Sequence, residues 1–197
     1  MSMTNYRAVR RHAAAILIFF SLLLAPLFAD AQIGAKVAGF RLTDTNGKTH
    51  DLGDYAGKVV VLEFWSFKCP VSLAYDERMA ALYSKYRSQG VSFLAVASNK
   101  NESPVEIRRN VENLKLSFPV LLDQDGVLAD RLGATHTPSV FILDGSGVLR
   151  YRGAVDNNKH AGERGRVAHV EDALNAILGD QPVPEGETKV FGCGIRR

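Results

Sequence analysis

The fold is decided by the stretch Val59–Ser72, which reads VVVLEFWSFKCPVS. An apolar run of strand length is followed by aromatic residues, by Cys69-Pro70 and then by a helical pattern. This order predicts a buried strand that delivers Cys69 to the first turn of a helix, where unpaired N–H groups and the helix dipole favour a thiolate. The chain has only two cysteines, and the place of this one indicates thiol-based redox chemistry. The alternative is an unreactive buried thiol that packs as a small apolar side chain.

Strand and helix patterns alternate on either side of that stretch. Asn46-Gly47 between short β-prone runs predicts a hairpin over residues 40–52, and the capping-box sequence that begins at Ser103 predicts a helix start. The other predicted strands are 59–64, 91–97, 118–122, 139–143 and 148–152, and the predicted helices are 70–89, 104–114, 127–132 and 167–178. Alternating strands and helices followed by a hairpin predict a three-layer α/β/α domain with a mixed central sheet.

Residues 1–31 are predicted to be a secretory signal peptide. A basic start precedes the apolar run Ala13–Ala29, and Ala29-Asp30-Ala31 supplies a cleavage pattern. An uncleaved anchor is the alternative. Cleavage would leave an exported protein, periplasmic or secreted, with no stable membrane anchor. The mature chain would carry 21 basic and 20 acidic residues, so its charge gives no reason to expect a nucleic-acid partner.

Residues 32–197 are expected to form one domain, with an extended C-terminal tail over residues 181–197 that contains Cys193. Outside the cytosol a disulfide between Cys69 and Cys193 can persist. No cofactor or metal is expected. Asp123 and Asp125 lack the other ligand positions of a calcium loop and are interpreted as a solvated turn.

Residues 64–72 resemble the active-site segment of thioredoxin-fold proteins, especially exported TlpA-like and redoxin (AhpC/TSA) members, which usually read Phe-Trp-Ala-x-Trp-Cys-Pro-x-Cys. Residues 118–123, residues 129–133 and Thr137-Pro138 before a strand add to the similarity, and the order and spacing fit over roughly residues 34–178. The resemblance implies a thioredoxin-like fold and a thiol oxidoreductase with Cys69 as its nucleophile.

The resemblance also implies roles for residues around Cys69. Glu63 corresponds to a buried acid that relays protons, and an acid at the end of a Val-rich strand is costly to bury without such a function. The alternative is that Glu63 points to solvent. Thr137-Pro138 corresponds to a cis-proline loop that presents backbone groups to a bound partner chain. Trp65 and Ser66 are the further candidate substrate-binding residues. His136 could tune the thiolate or lie at the surface without a role.

The chain departs from the family at Ser72, where dithiol members carry a second cysteine. A serine hydroxyl can at most hydrogen-bond to the Cys69 thiolate, so a redox cycle within one Cys-x-x-Cys is excluded. Cys193 is the one internal candidate for a resolving thiol, and we expect it on a mobile tail. Its alternative role is a structural disulfide that ties the tail down.

Two chemistries fit a single nucleophilic cysteine. Cys69 could reduce a peroxide and become a sulfenic acid; Ser66 matches the Thr/Ser of the peroxiredoxin pattern, but Leu62 stands where that pattern has Pro. Cys69 could instead exchange with a protein or small-molecule thiol. Both need an external thiol reductant. A different class of function is a binding module that has lost turnover and holds a partner on the Pro138 face.

Overall fold

The computed structural model describes residues 31–158 and 166–197. The strands are β1 (Arg41–Thr43), β2 (Thr49–Asp51), β3 (Val59–Phe64), β4 (Val91–Ala97), β5 (Val120–Leu122), β6 (His136–Thr137), β7 (Ser139–Leu143), β8 (Leu149–Gly153) and β9 (Cys193–Gly194). The α-helices are α1 (Pro70–Tyr86), α2 (Pro104–Leu114), α3 (Val127–Leu132) and α4 (His169–Leu178). The predicted signal peptide lies, except for Ala31, outside the described residues.

The central sheet has five strands in the order β5-β4-β3-β7-β8. Strand β3 runs parallel to β4 and antiparallel to β7; β4 and β5 are parallel, whereas β7 and β8 form the predicted hairpin. The sheet is therefore mixed, as the sequence predicts. The hairpin expected around Asn46-Gly47 is also confirmed, since β1 and β2 pair with antiparallel register.

Both faces of β3 are buried, which explains its unbroken apolar sequence. Val61 joins a core cluster with Met79 of α1 and Leu174 of α4, while Leu62 joins a second cluster with Leu128 of α3. Helices thus cover the sheet on both faces, and the three-layer α/β/α fold is confirmed. Because successive strand residues point to opposite faces, Glu63 points to the same side as Val61, toward α1.

Local signals fix the ends of the helices. Pro70 occupies the first turn of α1, and Ser103 caps α2 in a capping box with Glu106. Gly90 and Gly133 end their helical segments with φ of 78° and 70°, a left-handed conformation that glycine adopts without strain. These features agree with the predicted bounds to within a few residues.

The C-terminal tail differs from the sequence expectation. We expected a mobile segment, but the structure places it against the domain: β9 pairs antiparallel with β6 in a separate two-stranded ladder. Neither two-residue strand is long enough to show an alternating pattern in the sequence. Along residues 31–158 and 166–197, no helix is long and apolar enough to cross a membrane, and no group of three acidic, histidine or cysteine side chains is arranged to hold a metal ion.

Candidate active site

Cys69 is the N-cap of α1. Its backbone is extended (φ −96°, ψ 110°), and its Sγ accepts a hydrogen bond from the Ser72 N–H at 3.4 Å. The side chain is only 1% exposed. Strand β3 and a short turn thus deliver the sulfur to the positive end of the helix dipole, which stabilises a thiolate there.

The Thr137-Pro138 loop faces this sulfur. The peptide bond before Pro138 is cis, and the Thr137 carbonyl oxygen lies 3.1 Å from Cys69 Sγ. When Cys69 is protonated, its thiol donates to that carbonyl. The loop therefore has the position that the family resemblance implies.

Cys193 reaches the same place from the far end of the chain. Its strand β9 pairs Cys193 with Thr137 in antiparallel register, and Ile195 N–H donates to the Thr135 carbonyl at 2.9 Å. This register brings the Cys193 side chain close enough to Cys69 for each thiol to shift the pKa of the other. Both cysteines are free thiols in this structure, Cys69 buried and Cys193 half-buried.

The two thiols ionise at different pH. Burial opposes ionisation of Cys69, but hydrogen bonds from the Cys193 thiol and the Ser72 N–H outweigh it and lower the pKa of Cys69. Burial and the neighbouring Cys69 sulfur raise the pKa of Cys193 to about 11. Cys69 is therefore the thiolate of the pair, and Cys193 is the protonated partner that donates to it.

The hydroxyl groups of the two serines near Cys69 hydrogen-bond to other groups in this region of the structure. Ser72 is fully buried, and its hydroxyl accepts from the Ser66 N–H at 3.3 Å; Ser72 reaches Cys69 through its backbone N–H instead. The Ser66 hydroxyl donates to the carboxylate of Glu102, which also accepts from the Lys68 N–H at 3.3 Å. Ser66 is 3% exposed, so both serines shape the loop before Cys69 rather than line an open surface.

The buried Glu63, the half-buried Asp76 and the buried Trp65 lie on the α1 side of the sheet. Trp65 is 1% exposed, and its indole N–H donates to Asp76 of α1 at 2.9 Å. Burial and the nearby Asp76 carboxyl raise the pKa of Glu63 well above its ordinary value, and burial raises the pKa of Asp76 to about 6. Trp65, which was predicted to contact substrate, lies inside the core instead. There its indole N–H orients Asp76.

The tail is held by several contacts beyond β9. The Arg196 N–H donates to Asn99 Oδ1 at 2.7 Å, and the Lys100 N–H donates to the Arg196 carbonyl at 3.0 Å. The Arg197 guanidinium donates to the Ala134 carbonyl at 2.8 Å. The loop after β4, which also carries Glu102, therefore links the tail to the turn before Cys69.

Sequence reasoning missed Asp76 and Glu102. Asp76 lies within the predicted helix 70–89 and Glu102 comes just before the α2 capping box, and neither belongs to the sequence motif around Cys69. The one usable signal for Asp76 was its position two turns after Cys69, on the face of α1 that also carries buried Met79. Nothing in the sequence around Glu102 marks it as buried.

A thioredoxin-like fold with a low-pKa cysteine at a helix start, opposite a cis-proline, defines a thiol oxidoreductase. The comparisons with known proteins agree with this class. The chain belongs to the AhpC/TSA family, whose model matches residues 33–152. Cys193 lies beyond the matched residues.

Two relatives are named as thiol-disulfide oxidoreductases, and a solved structure shares the fold. The chain is 33% identical over 125 residues to the thiol-disulfide oxidoreductase ResA of Halalkalibacterium halodurans, a match that covers 62% of this chain and 70% of the relative. It is 34% identical over 114 residues to ResA of Bacillus subtilis, or 58% of this chain and 63% of the relative. An uncharacterised conserved protein of Geobacillus kaustophilus superposes with a TM-score of 0.76 at 28% identity, over 84% of this chain and 92% of that one.

Proposed function

We propose that this chain is an exported thiol–disulfide oxidoreductase in which Cys69 is the nucleophile and Cys193 is the resolving thiol. The observation that carries the proposal is the register of β6 and β9, which sets Cys193 opposite Thr137 and against the Cys69 sulfur. Cys193 thus takes the role of the second cysteine of Cys-x-x-Cys, which is Ser72 here. The signal-like residues 1–31 support export.

The proposed cycle moves two electrons to a disulfide partner. The Cys69 thiolate attacks one partner sulfur, a mixed disulfide forms, and the other partner sulfur leaves as a thiolate that takes a proton. Cys193 then attacks Cys69 Sγ as a thiolate and expels the second partner thiolate. The product is a Cys69–Cys193 disulfide, which an external thiol reductant returns to the dithiol.

The environment of Cys193 suits the order of these steps. Burial and the adjacent Cys69 thiolate both keep the pKa of Cys193 high, the thiolate because two adjacent negative charges repel each other. A mixed disulfide at Cys69 carries no charge, so Cys193 becomes easier to ionise only after the first step. Glu63, buried with a raised pKa, is the proposed acid that exchanges the proton with the thiols.

Thiol–disulfide exchange fits the site better than peroxide reduction. In the peroxide alternative, Ser66 would assist at the sulfur, but its hydroxyl is taken up by Glu102. The geometry of Thr137-Pro138, with a paired backbone strand beside Cys69, favours a polypeptide partner over a peroxide. Trp65, Ser66 and Ser72 would act by positioning this segment.

In the experiment that tests this proposal, the mature protein is reduced and then exposed once to a model peptide that contains a disulfide. Peptide mapping under non-reducing conditions should find a Cys69–Cys193 disulfide in the wild type and a peptide adduct on Cys69 in Cys193→Ser. A stable adduct on Cys69 in the wild type, with Cys193 free, would refute the resolving role. If Cys69 reacts no faster than a free thiol in solution, the chain is a binding module. Faster reaction with hydrogen peroxide than with the peptide would establish the peroxidase alternative instead.

A further inference from the structure

The tail occupies the backbone edge beside the reactive sulfur. Its Cys193 lies opposite Thr137, and Ile195 hydrogen-bonds to Thr135. Such contacts use main-chain groups, so any extended chain can make them in place of the tail. A foreign chain in the same register would put the residue opposite Thr137 next to Cys69. That residue would have to be a cysteine for exchange to follow.

Gly192 allows the backbone of the tail to lie close to β6. Its φ is +150°, and a Cβ there would overlap the Thr137 carbonyl oxygen and lie 2.9 Å from the carbonyl carbon and 3.2 Å from Pro138 Cδ. A side chain at position 192 would therefore push the tail off β6. At Gly194, two residues later, a Cβ would meet nothing within 4 Å. The close approach is confined to the residue that precedes Cys193.

The end of the tail can leave without opening the core. Every residue from Gly192 to Arg197 is half-buried or exposed. Apart from β9 itself, the segment is held by the hydrogen bonds to Asn99, Lys100 and Ala134 described above, by the exposed Arg197–Asp130 ion pair and by one partly buried apolar side chain, Ile195. Segments with few buried apolar contacts and exposed hydrogen bonds open locally at low free energy.

We infer that the tail segment 192–195 and an extended, disulfide-bearing polypeptide alternate on β6. This inference rests on the proposed function and names its substrate class. With the tail released, the polypeptide pairs with Thr137, and the Cys69 thiolate attacks its disulfide sulfur; the other sulfur leaves as a thiolate. When the tail returns, it displaces the polypeptide from the backbone edge. The same movement brings Cys193 to Cys69 Sγ, where its thiolate expels the remaining polypeptide thiolate. The dithiol of this chain is oxidised, and the polypeptide disulfide is reduced.

Substrate release and resolution are then one event. The segment that carries the resolving thiol is also the competitor for the binding edge. A small disulfide or a peroxide needs no backbone edge and would not compete with the tail in this way.

The test uses the full mature chain with Cys193→Ser, so that the first step is isolated and the mixed disulfide persists. The probe is a synthetic extended peptide whose cysteine is disulfide-linked to 2-thio-5-nitrobenzoate, and release of the coloured thiolate reports attack by Cys69. A second peptide has methylated backbone nitrogens on both sides of its cysteine and cannot donate hydrogen bonds to β6 there. The variants added to this background are Gly192→Ala, the matched control Gly194→Ala, and Arg197→Ala, which loosens the tail at another point.

Gly192→Ala should raise the rate constant for the unmodified peptide about tenfold, since it raises the population with β6 open. Arg197→Ala should change it in the same direction, and Gly194→Ala should match the background. For the methylated peptide, the rate constant should rise at most about twofold, because this peptide cannot hydrogen-bond to the backbone of β6 that the variant exposes. An equal gain for both peptides would overturn the inference, since the tail would then only shield the sulfur. The inference would also be overturned if neither Gly192→Ala nor Arg197→Ala raised the rate constant for the unmodified peptide. No thiolate release in any variant, including the Cys193→Ser background, would refute the proposed function itself.

Discussion

Replacing Cys193 by alanine removes a thiol that lowers the pKa of Cys69. A hydrogen bond to a charged group contributes about 1.5–3 kcal/mol to stability, and a thiol is a weak donor, so the lower end applies. One pKa unit corresponds to about 1.36 kcal/mol. The pKa of Cys69 should therefore rise by roughly one unit in Cys193→Ala. The hydrogen bond from the Ser72 N–H and the helix dipole remain in the variant, so part of the stabilisation of the thiolate should persist.

The measurement is the ultraviolet absorbance of the thiolate as a function of pH. Cys69 is the only thiol left in Cys193→Ala, so the titration has one component. In the wild type, the pKa of Cys193 of about 11 separates its ionisation from that of Cys69. Cys193→Ser is the matched control, because its hydroxyl can still donate, and its shift should be smaller than that of the alanine variant. An unchanged or lowered midpoint in Cys193→Ala would refute the argument that Cys193 stabilises the Cys69 thiolate.

Three further changes test other parts of the site. The raised pKa of Glu63 means that the folded state holds a proton which the unfolded state has lost, so stability should fall as pH rises above the ordinary carboxyl range. Glu63→Gln should reduce that fall, as measured by denaturation from about pH 4 to 8, and should leave the part due to Asp76, whose pKa burial raises to about 6. An unchanged fall would contradict the assignment. In oxidised Ser72→Cys, peptide mapping should find Cys69 linked to position 72 instead of to Cys193. If only the Cys69–Cys193 disulfide still forms, position 72 is not within reach of Cys69 at the start of α1. Glu102→Gln should keep the Ser66 contact as a neutral hydrogen bond and cost about 1 kcal/mol in denaturant unfolding, and a gain in stability instead would show that burial of the charge dominates.

Much of the fold was predictable because its signals are local. The run at β3 is apolar on both faces since helices cover both, and Pro70, Ser103 and Gly90 have the conformations that their residue types favour. The position of Cys69 at the start of α1 follows from the same signals. The core of the site was therefore predictable without any tertiary information.

The rest of the site depends on contacts between distant parts of the chain. Cys193 lies opposite Thr137 in a ladder of two residues per strand, too short for a periodic pattern. Trp65 was expected at the surface of the site but turns into the core, where its N–H finds Asp76. The burial of Glu102 depends on how the loop after β4 folds over the segment before Cys69. Residue type and spacing do not encode such packing.

When the second thiol lies on the tail instead of on the helix, a different feature of the structure controls how often it meets Cys69. In a Cys-x-x-Cys site, both sulfurs are on one helical turn, so their separation is fixed by the backbone. Here the encounter of Cys193 with Cys69 is governed by how often the tail is docked, which acts as an effective concentration. The Arg197–Asp130 ion pair is exposed to solvent and contributes little, so the β6–β9 ladder, the hydrogen bond to Asn99 and the hydrogen bond from Arg197 to the Ala134 carbonyl set that concentration. A Cys69–Cys193 disulfide would in turn hold the tail on β6. The oxidised protein would therefore keep its polypeptide-binding edge closed, and reduction would be needed before the next partner could bind.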